Sequence, residues 1–177
     1  PPLPGKPDLS GFDFIQYAGD VTGDGLGDLF FQDWTLAGDG VVGCLDGQSG
    51  QTVWMAYRPF SQNFSRVLPL HSQLQSDIDG DGIRDYVAGF ETNKFLQSGH
   101  SLTAYSGATG NEIWSIDLDR NFDYRRTIRC NDITGDGIAD LVSLMPPIFT
   151  SNDNGELIAI DGFDGSTLWI KDCTFIQ

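Results

Sequence analysis

Three nine-residue stretches hold the side chains best suited to chemistry. Residues 20–28 read D-V-T-G-D-G-L-G-D, residues 77–85 read D-I-D-G-D-G-I-R-D, and residues 132–140 read D-I-T-G-D-G-I-A-D. Each sets oxygen-bearing side chains at alternate positions and a glycine where the chain must turn sharply. A short loop of this kind gathers the six to eight oxygens that calcium takes at about 2.3–2.6 Å. In the middle loop Asp77, Asp79, Asp81 and Asp85 would supply carboxylates, Ile83 a backbone carbonyl and Gly82 the turn. The first loop would use Asp20, Thr22, Asp24, the carbonyl of Leu26 and Asp28; the third would use Asp132, Thr134, Asp136, the carbonyl of Ile138 and Asp140. The expected cofactor is Ca²⁺, up to three ions.

Thr22 and Thr134 leave the outer loops with one carboxylate fewer than the middle loop, so the middle site is expected to bind most tightly. Ten of the 25 acidic residues sit in these loops, where they repel one another unless a cation neutralises them. An EF-hand fails on spacing, because its twelfth position would be Phe31, Ala88 or Ser143 where a bidentate Glu is required. Magnesium fits poorly, since it seldom accepts an all-protein cage.

The loops start 57 and 55 residues apart, a repeat length suited to a four-stranded propeller blade. A second motif keeps step. A Gly-bearing turn at 46–50, 106–110 and 161–165 precedes Trp54, Trp114 and Trp169. Between these landmarks, residues 28–34, 41–45, 52–57, 101–105 and 157–160 alternate apolar and polar in short runs, which predicts strands joined by hairpins. In the middle unit the four strands are expected at about 66–73, 86–91, 101–105 and 112–116. The fold class that follows is all-β: three four-stranded antiparallel β-propeller blades in a single repeat domain, forming a partial or open propeller or part of a larger one. The expected bounds are an extended lead at 1–9 and blades at 10–60, 61–118 and 119–177.

Composition limits the function. The 177 residues are 40% hydrophobic and carry a net charge of −15, so nucleic acid is not an expected partner. Of the 25 acids, 22 are Asp, which favours turns and metal loops over helices. No run approaches the ~18 apolar residues of a membrane-spanning helix. The chain begins at Pro1 rather than Met and is expected to be a processed product or a fragment. Cys44, Cys130 and Cys173 are too few for a disulfide scaffold and are not spaced for zinc. Asn63 opens the one N-glycosylation sequon. Together with the calcium loops it points to an extracellular or secretory-lumenal location.

No catalytic constellation stands out. His71 and His100 have no partner motif, and G-x-S-x-G and phosphate-loop patterns are absent. Arg120, Arg125, Arg126 and Arg129 lie among Asp117, Asp119, Asp123 and the third loop, and we read them as neutralising those acids. Tyr57, Phe60, Phe64, Phe122 and Tyr124 fall in or beside the links between blades and are expected to bridge them.

The D-x-D-G-D-G-x-x-D loop running into an apolar strand resembles the FG-GAP repeat of integrin-alpha-type β-propellers, over about residues 10–173. The resemblance implies calcium on one face of each blade and a role in extracellular adhesion or recognition. Thr at the third position departs from the commonest pattern of that family. The Gly-turn-Trp half is similar to the blade motif of pyrroloquinoline-quinone-type propellers, which implies that each Trp docks one blade onto the next. No distinct quinone site accompanies it.

These readings converge on a calcium-stabilised, non-catalytic repeat module that binds a protein or glycan partner, or further copies of itself. A structural subunit of an extracellular fibre or oligomer is one alternative, distinguished by polymerisation of the purified chain. A fragment of a propeller enzyme, either a quinone-dependent dehydrogenase or a glycan hydrolase, is the other, distinguished by a bound chromophore or by turnover.

Overall fold

A computed structural model describes residues 14–34, 40–58, 66–68, 76–94, 97–118, 127–145 and 155–173. All regular elements among them are strands: β1 (Phe14–Gly19), β2 (Asp28–Trp34), β3 (Gly40–Leu45), β4 (Thr52–Arg58), β5 (Arg66–Leu68), β6 (Tyr86–Lys94), β7 (Gln97–Tyr105), β8 (Glu112–Leu118), β9 (Thr127–Arg129), β10 (Leu141–Met145), β11 (Gly155–Ile160) and β12 (Thr167–Cys173). They form three antiparallel four-stranded sheets, each a simple meander: β1-β2-β3-β4, β5-β6-β7-β8 and β9-β10-β11-β12. The three expected blades are therefore present. Among the described residues no helix is long and apolar enough to cross a membrane.

The blades are built alike because their sequences repeat. In each, the third strand enters the Gly-bearing turn through a register shift, at Cys44/Leu45, Ala104/Tyr105 and Ala159/Ile160. A bulge of this kind bends and twists the hairpin and so aims the following Trp. Rows of directly opposed residues define the two faces of each sheet. One face carries Phe30–Cys44–Trp54 in the first blade, Val87–Ala104–Trp114 in the second and Ile128–Val142–Ala159–Trp169 in the third. The opposite face carries Leu29–Leu45, Tyr86–Tyr105 and Leu141–Ile160 at equivalent places.

Two apolar seams form where the Trp-bearing face of one blade meets the opposite face of the next. Phe30, Val42, Cys44 and Trp54 pack against Tyr86, Ala88, Phe90 and Tyr105. Val87, Leu102, Ala104, Trp114 and Leu118 pack against Leu141, Met145, Ile158 and Ile160. The middle blade thus gives both of its faces to neighbours. At the first seam the Phe30 ring lies 5.9 Å from that of Trp54 and 5.2 Å from that of Tyr86, within the range of favourable aromatic pairs.

One expectation needs correction. Tyr57 lies on β4 and is about half exposed rather than bridging blades, because it sits on the face of the first blade that points away from the second. The other link aromatics, Phe60, Phe64, Phe122 and Tyr124, fall outside the described residues, as do His71, Asn63, Arg120, Arg125 and Arg126.

Candidate metal centre

Each acidic loop is folded by its own carboxylates. The first Asp turns inward and accepts backbone N–H bonds from the glycines. Asp77 Oδ1 accepts from Gly80 (2.8 Å) and Oδ2 from Gly82 (2.9 Å). Asp20 accepts from Gly23, Asp24 and Gly25, and Asp132 from Gly135, Asp136 and Gly137. The glycines at these corners, such as Gly80 (φ 79°) and Gly82 (φ 89°), adopt left-handed backbone that side chains rarely tolerate, which is why the motif demands them. The fifth-position Asp closes a smaller turn: Asp24, Asp81 and Asp136 each accept the amide two residues on, at 2.7 Å.

The ninth-position Asp does more than its place in a ligand pattern suggests. Asp28, Asp85 and Asp140 are fully buried. One oxygen of each accepts two amides of its own loop: Val21 and Thr22 for Asp28, Ile78 and Asp79 for Asp85, Ile133 and Thr134 for Asp140. The other oxygen accepts the first glycine amide of the next turn, Gly47, Gly107 or Gly162, at 2.8–2.9 Å. This carboxylate is therefore a tie between the acidic loop and the Gly-bearing turn, a role that ligand spacing alone did not reveal.

In the middle loop Asp77, Asp79 and Asp85 each bring a carboxylate oxygen within 4.8 Å of the other two. That separation matches oxygens sharing one coordination sphere around a cation of calcium's size. Asp81 lies outside this group; its Oδ1 is held by the Ile83 amide. Among the described residues the outer loops bring no such carboxylate trio together. There Thr22 and Thr134 take the place of Asp79, and the Thr134 hydroxyl bonds Asp132 (3.2 Å). For Ile83, Leu26 and Ile138 the expected contribution is a carbonyl; their side chains are partly or fully exposed beside the loops.

Electrostatics separate the loops further. Burial pushes Asp85 up to about 6, with the Gly107 and Ile78 amides pulling the other way and the Asp79 charge adding to the rise. At Asp28 burial opposes ionisation too, but the amides of Gly47, Thr22 and Val21 outweigh it and hold the carboxyl below its usual value. The Gly137 and Gly135 amides likewise hold Asp132 low.

The Gly-bearing turns connect the loops to the seams. The turns at 46–50, 106–110 and 161–165 share one pair of backbone bonds, the fifth residue donating to the first and the first to the sixth. Trp54 Nε1–H donates to the Gly107 carbonyl (2.6 Å), and its ring fills the space a Cβ on Gly110 would need, 2.5 Å from Cε3. Trp114 repeats the contact on the third blade, donating to the Gly162 carbonyl (3.0 Å) and lying against Gly165. The expectation that Trp docks blade onto blade holds for these two.

Two polar residues at the first seam gave no signal in the sequence. Gln32, fully buried, donates to the Gly89 carbonyl (3.1 Å) and accepts from the Tyr86 hydroxyl (2.9 Å). Arg58 donates to Thr103 (2.8 Å) and Ser115 (3.1 Å), lies 3.6 Å from Glu112 and sits over the Phe90 ring at 5.1 Å. Only the pairing of blades brings these partners together. The three cysteines are free; burial pushes the Cys44 thiol up to about 12.

Comparison with curated proteins returns no match. Residues 38–174, well over half of the chain, match a family model described as Outer membrane protein assembly factor BamB. The matched span holds all three Gly-bearing turns and their tryptophans, the half of the pattern that resembles pyrroloquinoline-quinone-type propellers. With three four-stranded blades and two Trp-docked seams in place, the chain belongs to the β-propeller repeat family that this model describes.

Proposed function

We propose that the chain is an extracellular, calcium-stabilised β-propeller module that acts by binding a protein or glycan partner and performs no chemistry of its own. The observation that carries this reading is the convergence of Asp77, Asp79 and Asp85 on one point of the middle loop. The likeness of the loops to FG-GAP repeats supports calcium and an extracellular setting. The description of the matching family as an assembly factor supports a role in protein interaction. A bound ion would offset the repulsion among the loop carboxylates and stiffen the loop that Asp85 ties to the Gly107 turn. Rigid blades would then present their connecting loops to the partner.

The test is calorimetric titration of the chelator-treated chain with calcium, alongside Asp79→Asn. The reading expects saturable binding, with the tightest site weakened at least tenfold in the variant. Absence of calcium binding at millimolar concentration would overturn it.

A further inference from the structure

The two seams share one plan. In each, a Trp docks on the Gly-bearing turn of the next blade through the same indole bond, Trp54 on Gly107 and Trp114 on Gly162. Because the contact is alike at both, the third blade's turn competes with the second's for Trp54 as the chain folds. Arrays of similar repeats misassemble in this way unless something else marks the right neighbour.

The marks are the polar residues of the first seam, for the second seam holds apolar ones at the same places. Arg58 follows Trp54 by four residues, and Leu118 follows Trp114 by four. Arg58 donates to Thr103 and Ser115, an opposed pair on β7 and β8, and lies 3.6 Å from Glu112. On the third blade the same places hold Ile158 and Ile170, an opposed pair on β11 and β12, and Thr167. Ile158 is buried in the core cluster that contains Leu118. A second place repeats the contrast. Gln32 stands two residues past Phe30 and accepts from the Tyr86 hydroxyl, whereas Gly89 stands two past Val87, and the counterpart of Tyr86 on the third blade is Leu141.

We propose that Arg58 and Gln32 are specificity determinants of blade pairing: they select the second blade as the neighbour of the first and reject the third. Docked on the third blade, Arg58 would face Ile158 and Ile170, with Thr167 in place of the Glu112 carboxylate. The hydroxyl of Ser143, opposite Ile158, is already bonded to that of Thr127 (2.8 Å). Gln32 would face Leu141 and lose the Tyr86 hydroxyl. A charge or an amide covered without its partner costs more than a contact that is simply missing. Selection of this kind works through the penalty on the wrong partner. The inference rests on the seams and not on calcium, so a failed calcium titration leaves it standing, and the reverse also holds.

The experiment is urea unfolding and refolding of the 177-residue chain, followed by Trp fluorescence. Its first part is a cycle of Arg58→Leu against the pair Thr103→Ile with Ser115→Ile. The pair is expected to cost about tenfold or more in the folding equilibrium constant beside Arg58 than in the Arg58→Leu chain, a coupling of about 1.4 kcal/mol. A parallel cycle of Gln32→Met against Tyr86→Phe is expected to couple about fivefold. Additive costs in either cycle would overturn the proposal. The second part makes the seams alike, with Leu118→Arg, Ile158→Thr, Thr167→Glu and Ile170→Ser, so that the third blade also accepts Arg58. Recovery of native chain on dilution from urea is expected to fall about twofold or more. Adding Arg58→Leu, Thr103→Ile, Glu112→Thr and Ser115→Ile exchanges the two sets and makes the seams differ again. This chain is expected to regain the parent's recovery, which loss of contacts alone would not produce. Equal recovery from the alike and exchanged chains would overturn the proposal, and the cycles alone decide if neither chain folds.

Discussion

Asp85 and Gly107, 22 residues apart, are joined by a 2.8 Å bond from the glycine amide to a carboxylate oxygen. The same glycine offers its carbonyl to Trp54 of the preceding blade. Loop, turn and seam thus form one chain of contacts, repeated through Asp140, Gly162 and Trp114. Asp85→Asn keeps the shape but sets an NH₂ donor against one of these amides. The expected cost is about 1–3 kcal/mol of unfolding free energy, read by urea denaturation. A greater exposure of Trp54 to a fluorescence quencher is expected alongside it. Unchanged stability would mean that the tie is replaceable by water.

The Asp85 carboxyl, raised to about 6, gives a pH dependence whose sign differs with and without calcium. Without calcium, the raised value means that folding takes up a proton. That stabilisation is full below the ordinary Asp value near ~4 and is lost as pH rises through about 6. With calcium, the proton competes with the ion, so affinity is expected to fall as pH drops through about 6. Thermal unfolding in chelator and calcium titration on either side of that pH check both slopes, and Asp85→Asn should flatten them.

The three motif tryptophans should separate cleanly in the isolated chain. Trp54→Ala and Trp114→Ala each empty a seam and are expected to cost about 3–5 kcal/mol. Trp169→Ala, at an indole 39% exposed, should stay within about 0.5 kcal/mol. Equal losses at all three would show that Trp169 has a buried role.

A pair of alanine substitutions isolates the indole contact from backbone strain. Gly50 (φ 67°) and Gly110 (φ 73°) share a left-handed conformation, so Gly→Ala carries a similar penalty of about 1 kcal/mol at both. Only at Gly110 does the new methyl meet Trp54. Gly110→Ala is therefore expected to cost about 1–3 kcal/mol more than Gly50→Ala, by denaturant unfolding.

Most of the blade was legible because its determinants are local. Alternation of period two marked β2, β3, β7 and β11, and the obligatory glycines at the loop and turn corners marked what joins them. The carboxylates Asp77, Asp79 and Asp85 were legible for the same reason, since a nine-residue loop folds on itself. The double role of Asp85 was not, because Gly107 approaches only after β6 and β7 have paired. Arg58 and Gln32 were hidden for a stronger reason: their hydrogen-bond partners lie 45 to 57 residues away on another blade, and no local periodicity encodes that distance.

The middle blade's two covered faces make the array behave as a chain of nearest neighbours, because among the described residues the first and third blades share no core cluster. In such an array stability is a sum of blade terms and seam terms, and opening proceeds from the ends. Amide hydrogens of β6 and β7 should therefore exchange most slowly, those of β1 and β12 fastest. Capping either end should slow the whole profile, since each added seam turns an end unit into an interior one.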